Sequence, residues 1–182
     1  MKFNVRKLVT MAVLAALSIV LMLFIKFPII PAAPYLIYEP ADVPIMIGSF
    51  LFGPLSGLLI TVVVSLIQAF TTADGNGLVG FFMHVAATGA FVITAGLIYE
   101  KFHHVRGAII ALVVGTLAMT SVMIPVNLII QPNFFNVPID VVKSLLVPAI
   151  IPFNLIKAGL NSVLTFVVYK RISKIVHKLT TR

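Results

Sequence analysis

The 182-residue chain contains no cysteine and no tryptophan. The first absence excludes disulfides, thiol nucleophiles and thiolate metal sites, and the second leaves tyrosine and phenylalanine as the interfacial aromatics. Charge is scarce: 10% of residues are charged against 60% hydrophobic, with a mean hydropathy of +1.16. A soluble domain carries about 25% charged residues, so this composition excludes a soluble globule, and disorder needs the opposite bias. Acid is scarcest, five Asp and Glu against thirteen Lys and Arg, for a formal charge of +8. A nucleic-acid binder gathers its cations on a soluble face; here they lie between and beyond apolar runs, as in chains oriented by a bilayer. No GxxxxGK[ST], GxSxG or HExxH occurs, and no Asp or Glu is evident inside an apolar run. P-loop ATP binding is excluded, and nothing points to a hydrolase or a carboxylate proton relay.

What is present is apolar length. One span takes about 20 residues, so the chain holds roughly six, and we expect one membrane domain over 1–182. Lys2, Arg6 and Lys7 precede an apolar run from Leu8 to Phe27. That run is too long for a signal peptide and ends in large residues, so it reads as an uncleaved helix. Pro28, Pro31, Pro34 and Pro40 forbid helix next. The apolar loop they leave, with Tyr35, Tyr38 and Glu39, must pack on protein or line a cavity, as a lid does. Asp42, as an N-cap-type residue, and Pro44 open a short helix that Gly53-Pro54 ends. The expected helices are 8–27, 42–52, 55–72, 78–102, 107–131 and 141–175. A polar turn runs from Thr71 to Gly77, Pro125 kinks the fifth helix, a loop holds Pro132 and Pro138, and Pro148 and Pro152 interrupt the last helix. The expected fold is an all-α integral membrane protein of six transmembrane helices in one bundle. A proline-rich extracellular loop after helix one caps an outward-facing pocket.

Alternating sides collect ten of the thirteen cations at one end: Lys2, Arg6, Lys7, Lys101, Arg106, Lys170, Arg171, Lys174, Lys178 and Arg182. Lys26 and Lys143 fall opposite with Glu39, Asp42, Asp74 and Asp140. The positive-inside rule then puts both termini in the cytoplasm of a multi-pass cell-membrane protein.

Lys157 falls inside a helix, where an ammonium usually marks a functional site or is paired. Asn154, Lys157 and Asn161 share its face at i, i+3 and i+7. Thr116, Thr120, Met123 and Asn127 stripe helix five, and Thr61, Ser65 and Gln68 stripe helix three. Singly such residues are packing glue; three stripes converging near Lys157, the lid and Asn76 describe an outward-opening polar pocket. Two observations together overturn this reading: Lys157 neutralised by a fixed internal carboxylate, and no hollow beside it. His84 sits on helix four with Thr88 one turn on; a lone buried histidine is commonly a satisfied core residue. His103-His104 fall on a solvated connection. Uphill transport would need energy from a partner, and Ala12 and Ala16, with Ala15 beside them, form a small-xxx-small step for close helix approach.

Several segments resemble the substrate-binding S components of energy-coupling factor (ECF) vitamin transporters, most closely the riboflavin-type branch. They are Tyr38-Glu39-Pro40-Ala41-Asp42-Val43-Pro44, Phe52-Gly53-Pro54-Leu55-Ser56-Gly57, Gly115-Thr116-Leu117-Ala118-Met119-Thr120 with Asn127, and Pro152-Phe153-Asn154-Leu155-Ile156-Lys157. The Pro-Phe-Asn-x-x-Lys segment is the most specific. The resemblance implies a transport subunit that is not an enzyme and has no cofactor, the bound vitamin being its cargo. It implies a transmembrane coupling (T) subunit and two ATP-binding subunits as partners, docking at Ala12 and Ala16, and toppling of the subunit on ATP hydrolysis. Asn127, Asn154 and Lys157 match positions that hold the vitamin. The candidate binding set adds Gln68, Asn161 and Thr120, with Tyr38 and Glu39 from the loop and His84 from helix four. Val64-Ser65-Leu66-Ile67-Gln68 stands where riboflavin-type members carry an acidic and basic pair, and Glu39-Pro40-Ala41-Asp42 also departs from their pattern. Riboflavin-, hydroxymethylpyrimidine- and vitamin B6-type ligands therefore all stay open. So do two other classes: an intramembrane enzyme using His84 and Asp42, and a non-transporting scaffold docking through Ala12 and Ala16.

Overall fold

The computed structural model describes residues 5–31, 33–71 and 77–180, with side chains through Arg171 in the last helix. The expected turn at 72–76 with Asp74 and Asn76, and the side chains of Lys2, Lys174, Lys178 and Arg182, lie outside the described residues. In chain order come α1 (Val5–Phe24), β1 (Phe27–Pro28), β2 (Ile37–Tyr38), α2 (Asp42–Phe52), α3 (Pro54–Thr71), α4 (Gly77–Lys101) and α5 (Val105–Phe134). Then follow α6 (Ile139–Leu145), a π-helical turn (Leu146–Ile150) and α7 (Ile151–Thr180). Among the described residues, five helical stretches are long and apolar enough to cross a membrane: α1, α3, α4, α5, and Ile139–Arg171 taken through the π turn.

The sixth helix, α2, has 11 residues, about 16 Å at 1.5 Å per residue, too short to cross alone. Its sequence is apolar on every side, the signature of a helix surrounded by protein, and Asp42 through Phe50 are all buried. It packs against α1, α3, α4 and α7, while α3–α4, α4–α5 and α5–α7 pair around it. Gly53 ends it with φ +89°, a conformation open to glycine. Pro54 then starts α3 where its missing N–H loses nothing. Small residues bring the helices together: a Cβ on Gly57 would lie 2.6 Å from the Ser49 Cβ, and one on Gly96 3.0 Å from the Pro54 Cα. Ser49 Oγ donates to the Val92 carbonyl at 3.1 Å, tying α2 to α4.

One end of the bundle is sealed. Lys7 Nζ donates to the Phe52 carbonyl at 3.2 Å, and the Phe50 and Tyr99 rings stack at 4.3 Å. The Tyr99 and Tyr169 hydroxyls lie 2.8 Å apart. Gly53 faces Glu100 there, so the α1 start, the α2–α3 turn, the α4 end and α7 share this end, as the charge pattern requires.

The structure departs from expectation in four places. The loop after α1 is not wholly irregular: within the all-α fold, Phe27 pairs with Tyr38 and Pro28 with Ile37 in a two-rung antiparallel ladder. The ladder is short because proline removes donors on one rung. Asp42 is not an N-cap: it is the first helical residue, Ala41 holds the cap position, and no side-chain cap bond forms. Helix α5 runs on through Pro125 and Pro132 to Phe134, since backbone at membrane depth gains more from staying helical than a proline forfeits. The last stretch breaks where expected, at Pro148 and Pro152, but into three segments with a π-helical turn in the middle, because each proline removes an N–H from the ladder and a widened turn absorbs the loss.

Replacing Gly57 with valine should force α2 and α3 apart, costing about 1–3 kcal/mol as overpacking does. The thermal unfolding midpoint in detergent is the measure; a midpoint equal to the unsubstituted protein's would show that this contact is not tight.

Candidate functional site

At the end opposite the aromatic seal, the loop and helices α1 and α3 to α7 enclose two adjoining hollows. The inner one, about 170 Å³, is lined by Glu39, Gln68, His84 and Lys157, with Ser65, Met22 and Lys26. The outer one, about 460 Å³, is lined by Asn127, Gln131 and apolar residues of α5, α6, the π turn and α7. Tyr35, Leu36, Met83, Met123, Phe153 and Asn154 line both, so the two form one cleft. Exposed Lys26 and Tyr35 in its wall show that it reaches the surface.

The inner hollow is ionic. Lys157 Nζ lies 3.6 Å from Glu39 Oε1, and Gln68 Nε2 donates to the same oxygen at 2.8 Å. His84 Nε2 stands 4.0 Å from it and 3.5 Å from Asp42 Oδ1. Thr88 gives its one hydroxyl proton to Asp42 Oδ1 at 2.8 Å, so His84 Nε2, 3.3 Å from that hydroxyl, carries a proton toward it. His84 Nδ1 faces Ser65 Oγ at 2.6 Å.

An amide on α7 ties the loop to this network. Asn161 Nδ2 donates to Asp42 Oδ2 at 2.9 Å and to the Glu39 carbonyl at 3.3 Å, and its Oδ1 accepts from the Tyr38 hydroxyl at 3.0 Å. Burial, with the Asp42 charge adding, pushes the Tyr38 phenol pKa up and keeps it a donor.

The outer amides are pinned by one device. Asn127 Nδ2 donates to the Met123 carbonyl and Asn154 Nδ2 to the Ile150 carbonyl, each at 2.8 Å and one turn back. A carbonyl only accepts, so the amide orientation is fixed and each Oδ1 is left out of that return bond. Gln131 Nε2 approaches Asn127 Oδ1 at 3.4 Å.

Of the sequence-derived candidates, Asn127, Asn154, Lys157, Gln68, Glu39 and His84 line the cleft. Asn161, Tyr38 and Thr120 are buried and are not part of its lining: Thr120 Oγ1 bonds back to the Thr116 carbonyl at 2.9 Å. Thr61 and Thr116 likewise bond back to Gly57 and Leu112. Two carboxylates that the sequence places outside the apolar runs are buried: Asp42 is 0% exposed and Glu39 6%. Sequence reading missed this because both precede the apolar run of α2, where an acid looks like a cap; the all-round apolarity of that helix was the available signal. It also missed Gln131, one turn beyond Asn127, and the α6 wall. His104 is more than a solvated loop residue, since it caps α5 by accepting from the Gly107 N–H at 2.8 Å. Lys157 does meet an internal carboxylate, but the hollow beside it is there, so the condition that would overturn the pocket reading is only half met.

The sequence profile of a family described as the substrate-specific component of ECF transporters matches residues 6–169. The chain belongs to that family. This S component is 30% identical over 181 residues to the riboflavin transporter RibU of Staphylococcus aureus (strain TCH60), covering 96% of this chain and 94% of that protein. It is 30% identical over 162 residues to the riboflavin transporter FmnP of Bacillus subtilis (strain 168), covering 85% of each. A solved S component of a bacterial ECF transporter superposes with TM-score 0.78 at 33% identity, over 94% of this chain and 97% of that one. An S component is a multi-pass membrane subunit that binds the substrate of an importer and is not itself an enzyme.

Asp42 thus joins α2 to α4 and α7. Asp42→Ala should destabilise the protein by about 3–5 kcal/mol, as removal of one partner from a buried charge network does, with Asp42→Asn milder. An unchanged unfolding midpoint in Asp42→Ala would contradict this joining role.

Proposed function

We propose that this S component captures riboflavin from outside the cell. The observation that carries the reading is the two-part cleft, ionic within and amide-lined and apolar without, in a chain whose relatives are riboflavin transporters. A flavin ring is flat, apolar on its faces and edged by an imide that alternates acceptor, donor and acceptor. The pinned Oδ1 atoms of Asn127 and Asn154 suit the imide N–H, and their remaining N–H protons and Lys157 suit its carbonyls. Glu39, Gln68 and His84 supply acceptors and donors for hydroxyl groups. An elongated cleft of this size exceeds what a single pyrimidine or pyridine ring needs, which favours riboflavin over the smaller vitamins. The vitamin is cargo, and no cofactor enters the reading.

The N-terminal end of α1 and the C-terminal end of α7 lie on the cytoplasmic side in this proposal, supported by Lys7, Lys101, Arg106, Lys170 and Arg171 at the sealed end. The open end then faces outward. A transmembrane T subunit and two ATP-binding subunits supply energy, and ATP hydrolysis topples the S component so that its one mouth reaches the cytoplasm. Docking uses α1: Ala12 and Ala16 are exposed while Ala15, Leu14 and Ser18 turn inward, leaving a shallow groove for a partner helix.

Lys157→Ala should weaken riboflavin binding by at least about 30-fold, the effect of truncating one partner of a buried hydrogen-bonded charge pair. The measurement is quenching of flavin fluorescence by the purified protein in detergent, and undiminished quenching refutes the assigned site. Ala12→Trp should reduce cellular riboflavin uptake while leaving binding intact, because the added ring obstructs docking and not the cleft. Normal uptake by that variant would remove α1 from the docking surface.

A further inference from the structure

Asn161 lies on the same α7 face as Lys157, one turn further along, yet it takes no part in the cleft wall. It is 0% exposed, and its oxygen and both amide protons are already used within the protein. All three partners belong to one short segment: the Tyr38 hydroxyl that ends the loop's ladder, the Glu39 backbone carbonyl, and the Asp42 carboxylate that begins α2. The segment between them carries the Glu39 carboxylate, which faces Lys157 at 3.6 Å and Gln68 at 2.8 Å.

We propose that Asn161 is a positioning residue for ligand capture. It fastens the loop's return segment to α7 and thereby aims Glu39 into the inner hollow opposite Lys157, without touching the ligand. Both ends of the Glu39–Lys157 pair are then set by one helix, Lys157 directly and Glu39 through Asn161. Loosening the amide releases the loop and misplaces the carboxylate together. This inference rests on riboflavin being the ligand only for its binding readout.

The absence of cysteine makes a ligand-free test clean. Ala33, 0% exposed within the loop, is replaced by cysteine, and maleimide labelling of the detergent-solubilised protein is timed. Adding Asn161→Ala should speed labelling by about tenfold or more, since a buried thiol reacts only when local structure opens. An unchanged rate overturns the proposal whatever the ligand is. The second test is a double-mutant cycle on riboflavin binding with Asn161→Ala, Glu39→Ala and both. If Asn161 acts through Glu39, each single change weakens binding by about tenfold or more, and the pair is no more than about twofold weaker than the worse single. Losses that multiply show that Asn161 acts independently of Glu39 and overturn the coupling. Should Asn161→Ala not fold, Tyr38→Phe, which removes one of the three bonds, replaces it in both tests with the same criteria. If the unsubstituted protein binds no riboflavin, the ligand assignment fails, while the labelling result still decides whether Asn161 holds the loop.

Discussion

Placing an ammonium in the middle of an apolar bundle constrains everything around it. Lys157 is 7% exposed, and an uncompensated charge at that depth costs several kcal/mol. Helices of this composition offer few carboxylates, and the chain brings one from outside them: Glu39, carried on the loop after α1. Neutralising Lys157 therefore requires the loop to fold back over the bundle. That in turn requires the loop's own backbone to be satisfied, by the short ladder and by Asn161. Asp42 adds a second buried negative charge, held by Thr88 and Asn161 rather than by the lysine alone. The cleft and its cover are thus consequences of a single electrostatic demand.

The opposite end obeys a different constraint. Phe50, Tyr99 and Tyr169 close it with stacked and edge-on rings and a hydroxyl pair, and α2 fills the axis beneath them. Among the described residues the cleft lies at the end away from this seal, and a ligand that enters it meets the seal and α2 along the axis. For a transport subunit of this shape, delivery by reorientation of the whole body asks for no disruption of the core. A central gate would instead have to separate Ser49 from Gly57 and Gly96, where α2 packs closely on α3 and α4. The packing of small residues and the proposed toppling fit the same picture.

Much of this architecture was legible in the sequence. Gly53-Pro54 marked the α2–α3 turn because glycine readily takes a positive φ and proline cannot continue the preceding helix, and Pro148 and Pro152 marked the break in the last helix. Lys157 stood out because charge inside an apolar run is rare. What stayed hidden depended on tertiary contact. Asp42 and Glu39 looked like cap and loop residues, because nothing local distinguishes an acid at a helix start from one buried against distant helices. Asn161 looked like a ligand contact, because a stripe fixes the face of a helix but not what that face meets at each level. The ladder from Phe27 to Tyr38 could not be read through prolines that ordinarily argue against strands.

The polar stripes also sort themselves by a simple chemical rule. Ser and Thr side chains are short enough to return their hydroxyl to the carbonyl one turn back, and Thr61, Thr116 and Thr120 do so, removing themselves as donors. An asparagine making the same return bond, as Asn127 and Asn154 do, still has an oxygen and a second proton to offer. The bond therefore silences a threonine but aims an asparagine. In a membrane helix where every polar group must find a partner, amides at such positions are what turns a packing stripe into a surface of fixed hydrogen-bonding polarity. In the proposed riboflavin complex it is that polarity, and not the count of polar residues, that selects the ring edge.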